Sequence, residues 1–277
     1  MRRLLAVAAL AVVALGACAP EEQEPAGAQG GGGPECSLEN PPLYEDGVLT
    51  VATDRPAYPP WFEGSPKRYS GYEGEVASEI AQRMDLPIRW VVEPFNKSYA
   101  PGAKDYDFDI NQISVTPERE EVVDFSDSYF DNSQGVLALK DGPVADARSI
   151  DDLRDHQLGT QVGTTSLDFI NRVVQPSAEP KVFDTTNDVK SALESGQIDA
   201  LVTDVVTTVY LRDFEIDGSV VVGRYPTHEP FGMLFEEGNP LRVCVDRVLA
   251  DMKADGTLKR LQERWLQDYL GVPVLED

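Results

Sequence analysis

Histidine is almost missing from this chain of 277 residues, with only His156 and His228 present. A His-based metal centre or a Ser-His-Asp triad therefore has next to no material. Cysteine is nearly as scarce: Cys18, Cys36 and Cys244 show no CxxC spacing, which removes zinc-ribbon and thioredoxin-type chemistry. Positive charge is also short, with 24 Lys and Arg against 48 Asp and Glu, a formal net charge of −24 and a pI near 4.3. A nucleic-acid binder must neutralise phosphates with clustered cations, so that class is set aside. No GxSxG, HExxH, P-loop or Rossmann fingerprint occurs, and no metal or cofactor is expected. What is present suffices for a folded core: 42% hydrophobic and 26% charged residues exclude wholesale disorder. At about 150 residues per domain, the length fits one large domain or two small lobes.

The N-terminus is of a different kind. Arg2 and Arg3 precede Leu4 to Leu15, an apolar run of Leu, Ala and Val that is too short for a comfortable membrane span. Residues 1–17 read as a secretory signal. The run ends Leu15-Gly16-Ala17-Cys18, which resembles the lipobox of bacterial lipoproteins and implies a diacylated Cys18. An ordinary cleavable signal with an incidental Cys is the plainer alternative. Residues 19 to 35 contain no aromatic or branched aliphatic residue, so 18–40 reads as the lipidated Cys and a flexible tether. With Cys18 used as an anchor, Cys36 and Cys244 remain, either as a disulfide, which an exported compartment permits, or as two free thiols. The strong negative charge favours a soluble, monomeric body.

From Leu43 onward, strand-like runs alternate with amphipathic helix patterns. Val48 to Ala52, Ile88 to Val92, Gln157 to Gly159 and Ala200 to Val202 read as strands. Val76, Ile80 and Met84 mark one helix; Leu167, Ile170, Val173 and Val174 another; Val189, Ala192 and Leu193 a third, stopped by Gly196. Ser149 to Asp152 has the form of a capping box. Two more helices follow, Pro240 to Met252 and Thr257 to Leu270, the second with Leu258, Leu261, Trp265 and Tyr269 on its apolar face. This alternation predicts an α/β fold with mostly parallel sheets.

Three stretches give the family resemblance: Asp107 to Arg119 (DFDINQISVTPER) continuing to Tyr129, Gly163 to Ser166 (GTTS), and Gly196 to Asp204 (GQIDALVTD). With the VLTVATD opening, the PFGMLF run and the DGTLKRLQERWL helix, they resemble the family 3 extracellular solute-binding proteins, in order, over about residues 43–270. The resemblance implies a periplasmic-binding-protein-like fold of type II, with two lobes joined by two hinge crossings. Lobe one would be 41–136 and 226–277, lobe two 137–225, with crossings near 136–140 and 220–225. It further implies a receptor, anchored outside the cytoplasm to the bacterial cell membrane as a lipoprotein, that closes on a free amino acid and docks on an ABC permease. A disulfide from Cys36 to Cys244 would lie within lobe one.

A free amino acid carries a carboxylate and an ammonium, and burying both requires opposite charges converging on one crevice. The resemblance assigns Arg119 as the carboxylate clamp; without it, a surface Arg paired with Glu118, Glu120 or Glu121 is the plainer reading. Ser114 assists, and Gln112, two residues back on the same strand face, stands where relatives often have Gly or Ser and so shapes specificity. Thr164 and Thr165, at a helix start after Gly163, hold the carboxylate from lobe two, or simply cap the helix. Asp204, at a strand end, receives the ammonium, with a helix cap as its alternative. Tyr58, Trp61 and Phe95 are the aromatic walls, Trp90 and Trp265 are core, and Asp54 and Glu229 are further pocket candidates for a cationic side chain. Two rivals remain. One is a cleft enzyme on the same fold, a prephenate or arogenate dehydratase with Asp54 or Glu229 as acid. The other is a sensory ectodomain, against which stands the absence of a membrane span after the last helix.

Overall fold

Short runs of branched and aromatic residues become the strands of two sheets, and the amphipathic stretches pack over them as helices. The structure, a computed structural model, describes residues 36–277, which belong to one compact unit. The first half opens with β1 (Leu49–Thr53), buried along its whole length, and a small hairpin of β2 (Glu63–Ser65) and β3 (Arg68–Ser70). There follow α1 (Tyr72–Arg83), β4 (Ile88–Val92), α2 (Phe95–Ser98), β5 (Phe108–Asp109), α3 (Pro117–Glu120) and β6 (Val123–Phe125). Strand β7 (Phe130–Leu139) leads into the second half, built from β8 (Leu158–Gln161), α4 (Thr165–Phe169), β9 (Lys181–Phe183), α5 (Thr186–Glu194), β10 (Ala200–Asp204) and α6 (Val205–Tyr210). Strand β11 (Ser219–Phe231) leads back to β12 (Leu234–Glu236), α7 (Leu241–Ala254) and α8 (Thr257–Leu266).

The first sheet has the order β4-β1-β5-β12-β6 and the second β11-β7-β10-β8-β9. Strand β1 runs parallel to β4 and β5, and β8 parallel to β9 and β10. The returning strands β12, β7 and β11 pair antiparallel. Each sheet is thus mixed, more so than the repeating β-α pattern suggests, because the chain passes twice between halves and each passage reverses a strand.

Alternation along the strands sorts the core. Val136, Ala138, Ala200 and Val202 face one layer of the second half, with Leu158 and Ile170, while Leu137 and Leu201 face the other, with Val189 and Leu193. In the first half Leu49, Val51, Tyr72, Val76, Ile80 and Phe108 pack with Val245, Leu249 and Leu266. The expected passages at 136–140 and 220–225 lie along the paired strands β7 and β11. Phe130 and Phe231 pair with each other inside the first core, whereas Val136 and Val222 are in the second. Both strands thus run from one core into the other, β7 over 130–136 and β11 over 222–231, the second stretch sharing 222–225 with the expected passage. Between them β11 changes register from Tyr225 to Glu229.

Cys36 and Cys244 are disulfide-bonded, with Cα atoms 4.9 Å apart across 208 positions, and both pack in the first core. The expected signal at 1–17, Cys18 and the tether up to residue 35 lie outside the described residues. Among the described residues, no helix is long and apolar enough to cross a membrane. Replacing Cys36 and Cys244 by Ser releases a long loop in the unfolded chain and should cost about 3–5 kcal/mol of stability in urea melts. Melts unchanged by the double substitution would contradict this.

Candidate functional site

The carboxyl ends of β1 and β10 open onto a cleft of about 530 Å³, where open α/β sheets place their ligands. Arg119 and Asp204 both line it. Arg119 is set by the single turn α3, in which Pro117 takes the first position and Thr116 Oγ1 accepts from the Arg119 amide at 3.3 Å. The residue is only 8% exposed, and its guanidinium donates to Ser114 O at 2.7 Å and to Gly163 O at 2.9 Å in the other half. It lies 4.9 Å from the Tyr99 ring centroid and 5.6 Å from that of Phe95. Burial draws its pKa down, opposed by the Tyr99, Glu229, Asp168 and Asp204 charges, yet a guanidinium stays charged. Five N–H groups are available and the protein takes two, leaving a fork for a ligand. Among the described residues no carboxylate forms an ion pair with Arg119.

Gly163 allows this junction. Its φ is +72°, and a Cβ there would meet the Tyr99 hydroxyl at 2.0 Å, so only glycine lets the two halves approach. Tyr99 also reaches Gly163 O, at 3.4 Å, and Tyr58 donates across the cleft to Asn187 Oδ1 at 2.8 Å.

Asp204 ends β10 and precedes α6, but makes no capping bond with its side chain. Asn132 Nδ2 donates to it at 2.5 Å. Burial, and then the negative charge of Glu229, push its pKa up to about 8. No cation pairs with it among the described residues. The cleft thus holds a charged guanidinium and a carboxyl group, neither matched by an ion-pair partner.

Ser114, Thr164 and Thr165 also line the cleft. Thr164 is the cap of α4, accepting from the Leu167 amide at 3.4 Å, whereas Thr165 turns its hydroxyl to Glu229 at 2.7 Å. Gln112 reaches the cleft by another route than expected: β5 stops at Asp109, and Gln112 has left-handed backbone, φ 49°. It is held there by Glu73, whose buried carboxylate accepts from the Gln112 amide at 2.7 Å, from its Nε2 and from the Tyr129 hydroxyl. Burial raises Glu73 to about 7 against those bonds.

Tyr58 and Phe95 line the cleft, and burial pushes the Tyr58 hydroxyl up to about 12. Trp61 does not. It is 0% exposed, and its indole packs among Tyr72, Phe130 and Phe231 in the first core. Asp54 lines the cleft, accepting from the amides of Arg55 at 2.6 Å and Phe95 at 3.2 Å, and burial raises its pKa. Glu229 sits behind Ser114 and Thr165 rather than in the lining. Sequence reasoning missed Asn111, Asp184 and Asn187, which also line the cleft; the Asn111 Nδ2 is buried without a hydrogen-bond partner.

Asp204 and Asp109 (each raised to about 8) and Glu73 hold protons in the folded state that the unfolded chain has lost. Their contribution to stability is complete below about pH 4 and declines as pH rises towards 8. Asp204→Asn should flatten that decline and add on the order of 1–2 kcal/mol at pH 8. Urea melts at pH 5 and 8 read it; a slope equal to that of the wild type would refute the cause.

The sequence matches the family described as bacterial extracellular solute-binding proteins, family 3, over residues 49–268. It is 28% identical to the L-cystine-binding protein TcyJ of Escherichia coli strain K12 over 227 residues, 80% of this chain and 84% of that one. It is 29% identical to the octopine-binding periplasmic protein of Rhizobium meliloti over 200 residues, 63% of this chain and 67% of that one. Among solved structures it resembles an ancestral arginine-binding protein bound to glutamine, with TM-score 0.71 and 28% identity over 80% of this chain and 99% of that one. An ancestral amino acid-binding protein, AncCDT-1, a precursor of cyclohexadienyl dehydratase, gives TM-score 0.68 and 30% identity over 79% and 95%.

Proposed function

The chain belongs to the bacterial extracellular solute-binding proteins, family 3, and from that membership we propose that it is an extracytoplasmic receptor that closes two lobes on a free amino acid and passes it to an ABC importer. Arg119 receives the α-carboxylate, Asp204 the ammonium, and Ser114 and Thr165 add hydroxyl donors from either side. The observation that supports this most is the pair of unmatched groups, a guanidinium and a carboxyl, in one cleft. A zwitterion supplies both missing partners at once, and only the closed form lets both act together. The start of the chain fits a lipoprotein signal with Cys18 as the anchor, and the acidic surface fits a monomer. A cleft dehydratase with Asp54 or Glu229 as its acid is the second reading, suggested only by the likeness to AncCDT-1, a precursor of cyclohexadienyl dehydratase; turnover of prephenate or arogenate by the purified protein would favour it.

A thermal-shift panel of the common amino acids and L-cystine identifies the ligand, since a binder stabilises by about 2.7 kcal/mol at a hundredfold excess over Kd. Arg119→Ala should then weaken binding by about 2–5 kcal/mol in calorimetry, because a buried carboxylate loses its cation. Unchanged affinity would reject the assignment. An arriving ammonium restores the charge on Asp204, so binding below pH 8 should release a proton and tighten as pH rises from 6 to 8. Titrations in two buffers of different ionisation enthalpy measure that proton, and zero release would place the ammonium elsewhere.

A further inference from the structure

Glu229 belongs to neither pole of that assignment, yet it gathers hydrogen bonds from both sides of the cleft. Its Oε2 accepts from Thr165 Oγ1 at 2.7 Å and from Ser114 Oγ at 3.2 Å, and Gln134 Nε2 lies 3.1 and 3.0 Å from its two oxygens. Ser114 stands on the first half, Thr165 on the second, and Glu229 on β11 within the crossing. All three partners are neutral, and no Lys or Arg forms an ion pair with Glu229 among the described residues.

A hydroxyl carries one proton. While Thr165 and Ser114 spend theirs on Glu229, they offer only lone pairs to the cleft, and a ligand carboxylate needs donors. A hydroxyl bonded to Glu229 cannot at the same time donate to the ligand carboxylate. Glu229 has no such conflict with a ligand ammonium, but it lies behind the hydroxyls and out of the lining.

We propose that Glu229 is an internal counter-anion that clasps the two halves shut in the absence of ligand and competes with the ligand carboxylate for the Ser114 and Thr165 protons. The competition rests on the receptor reading above; the clasp does not. The clasped form is a closed state that cannot accept ligand, so it lowers the apparent affinity by the fraction of molecules that occupy it. Glu229 is in this sense a positioning residue, acting on the ligand through two hydroxyls.

The test uses the purified chain with Glu229→Gln, which keeps size and an acceptor but loses the charge-assisted bonds, and with Thr165→Val, which removes one shared hydroxyl. Small-angle scattering without ligand should give both variants a larger radius of gyration than the wild type. Calorimetry with the amino acid found in the panel should give Glu229→Gln roughly fivefold tighter binding, and Thr165→Val weaker binding. Unchanged ligand-free dimensions for Glu229→Gln, or weaker binding by it, would overturn the proposal. If no amino acid binds the wild type while Glu229→Gln still expands, the clasp stands and the receptor reading falls. If an amino acid binds wild type and Glu229→Gln alike, with no expansion, the receptor reading stands and the clasp falls.

Discussion

A buried guanidinium held by main-chain carbonyls, with no carboxylate in an ion pair with it among the described residues, is the constraint on which the cleft depends. Removing a cation from water is costly, and Arg119 recovers that cost from Ser114 O, Gly163 O and two aromatic faces. None of these neutralises it. The charge is therefore kept available, and everything nearby is arranged to keep it so: a proline-led single turn, a threonine cap, and a glycine that admits Tyr99 from the opposite half.

Around Arg119 the protein places carboxyl groups in excess. Asp204, Glu229, Glu73, Asp109 and Asp54 lie in or behind the cleft, each bonded to neutral donors. Burial raises Asp204 and Asp109 first, and the negative charges of Glu229 and Glu73 add to it. An empty cleft can relieve this repulsion by keeping protons. A ligand that carries its own ammonium relieves it differently, and the two forms of relief exclude each other at Asp204.

Local periodicity made much of the scaffold legible. Strands β1, β4 and β10 and helices α1, α7 and α8 fall where alternation or helical spacing puts them, within a residue or two at most ends. Arg119, Asp204, Ser114 and Thr165 were found through ordered motifs, and the structure brings them to one cleft. What stayed hidden depends on residues far apart in the chain. Glu73 reads as an ordinary acidic residue in a first helical turn, and nothing near it announces that it holds Gln112 in left-handed backbone. Glu229 reads as a pocket side chain, although its partners are Ser114, Gln134 and Thr165. Trp61 sits near a wall residue in sequence, but its large ring gains more from full burial against three aromatics than from a half-exposed cleft.

The covalent link from Cys36 to α7 also has a mechanical side. Tension applied to the chain ahead of Cys36 passes through two sulfur atoms into the first turn of a fourteen-residue helix, and not along the backbone into Leu49. Strand β1, which pairs on both edges within the first sheet and leads to the cleft, is thereby shielded from traction: the body can be tugged from its leading end without unzipping the strand that carries its binding loops.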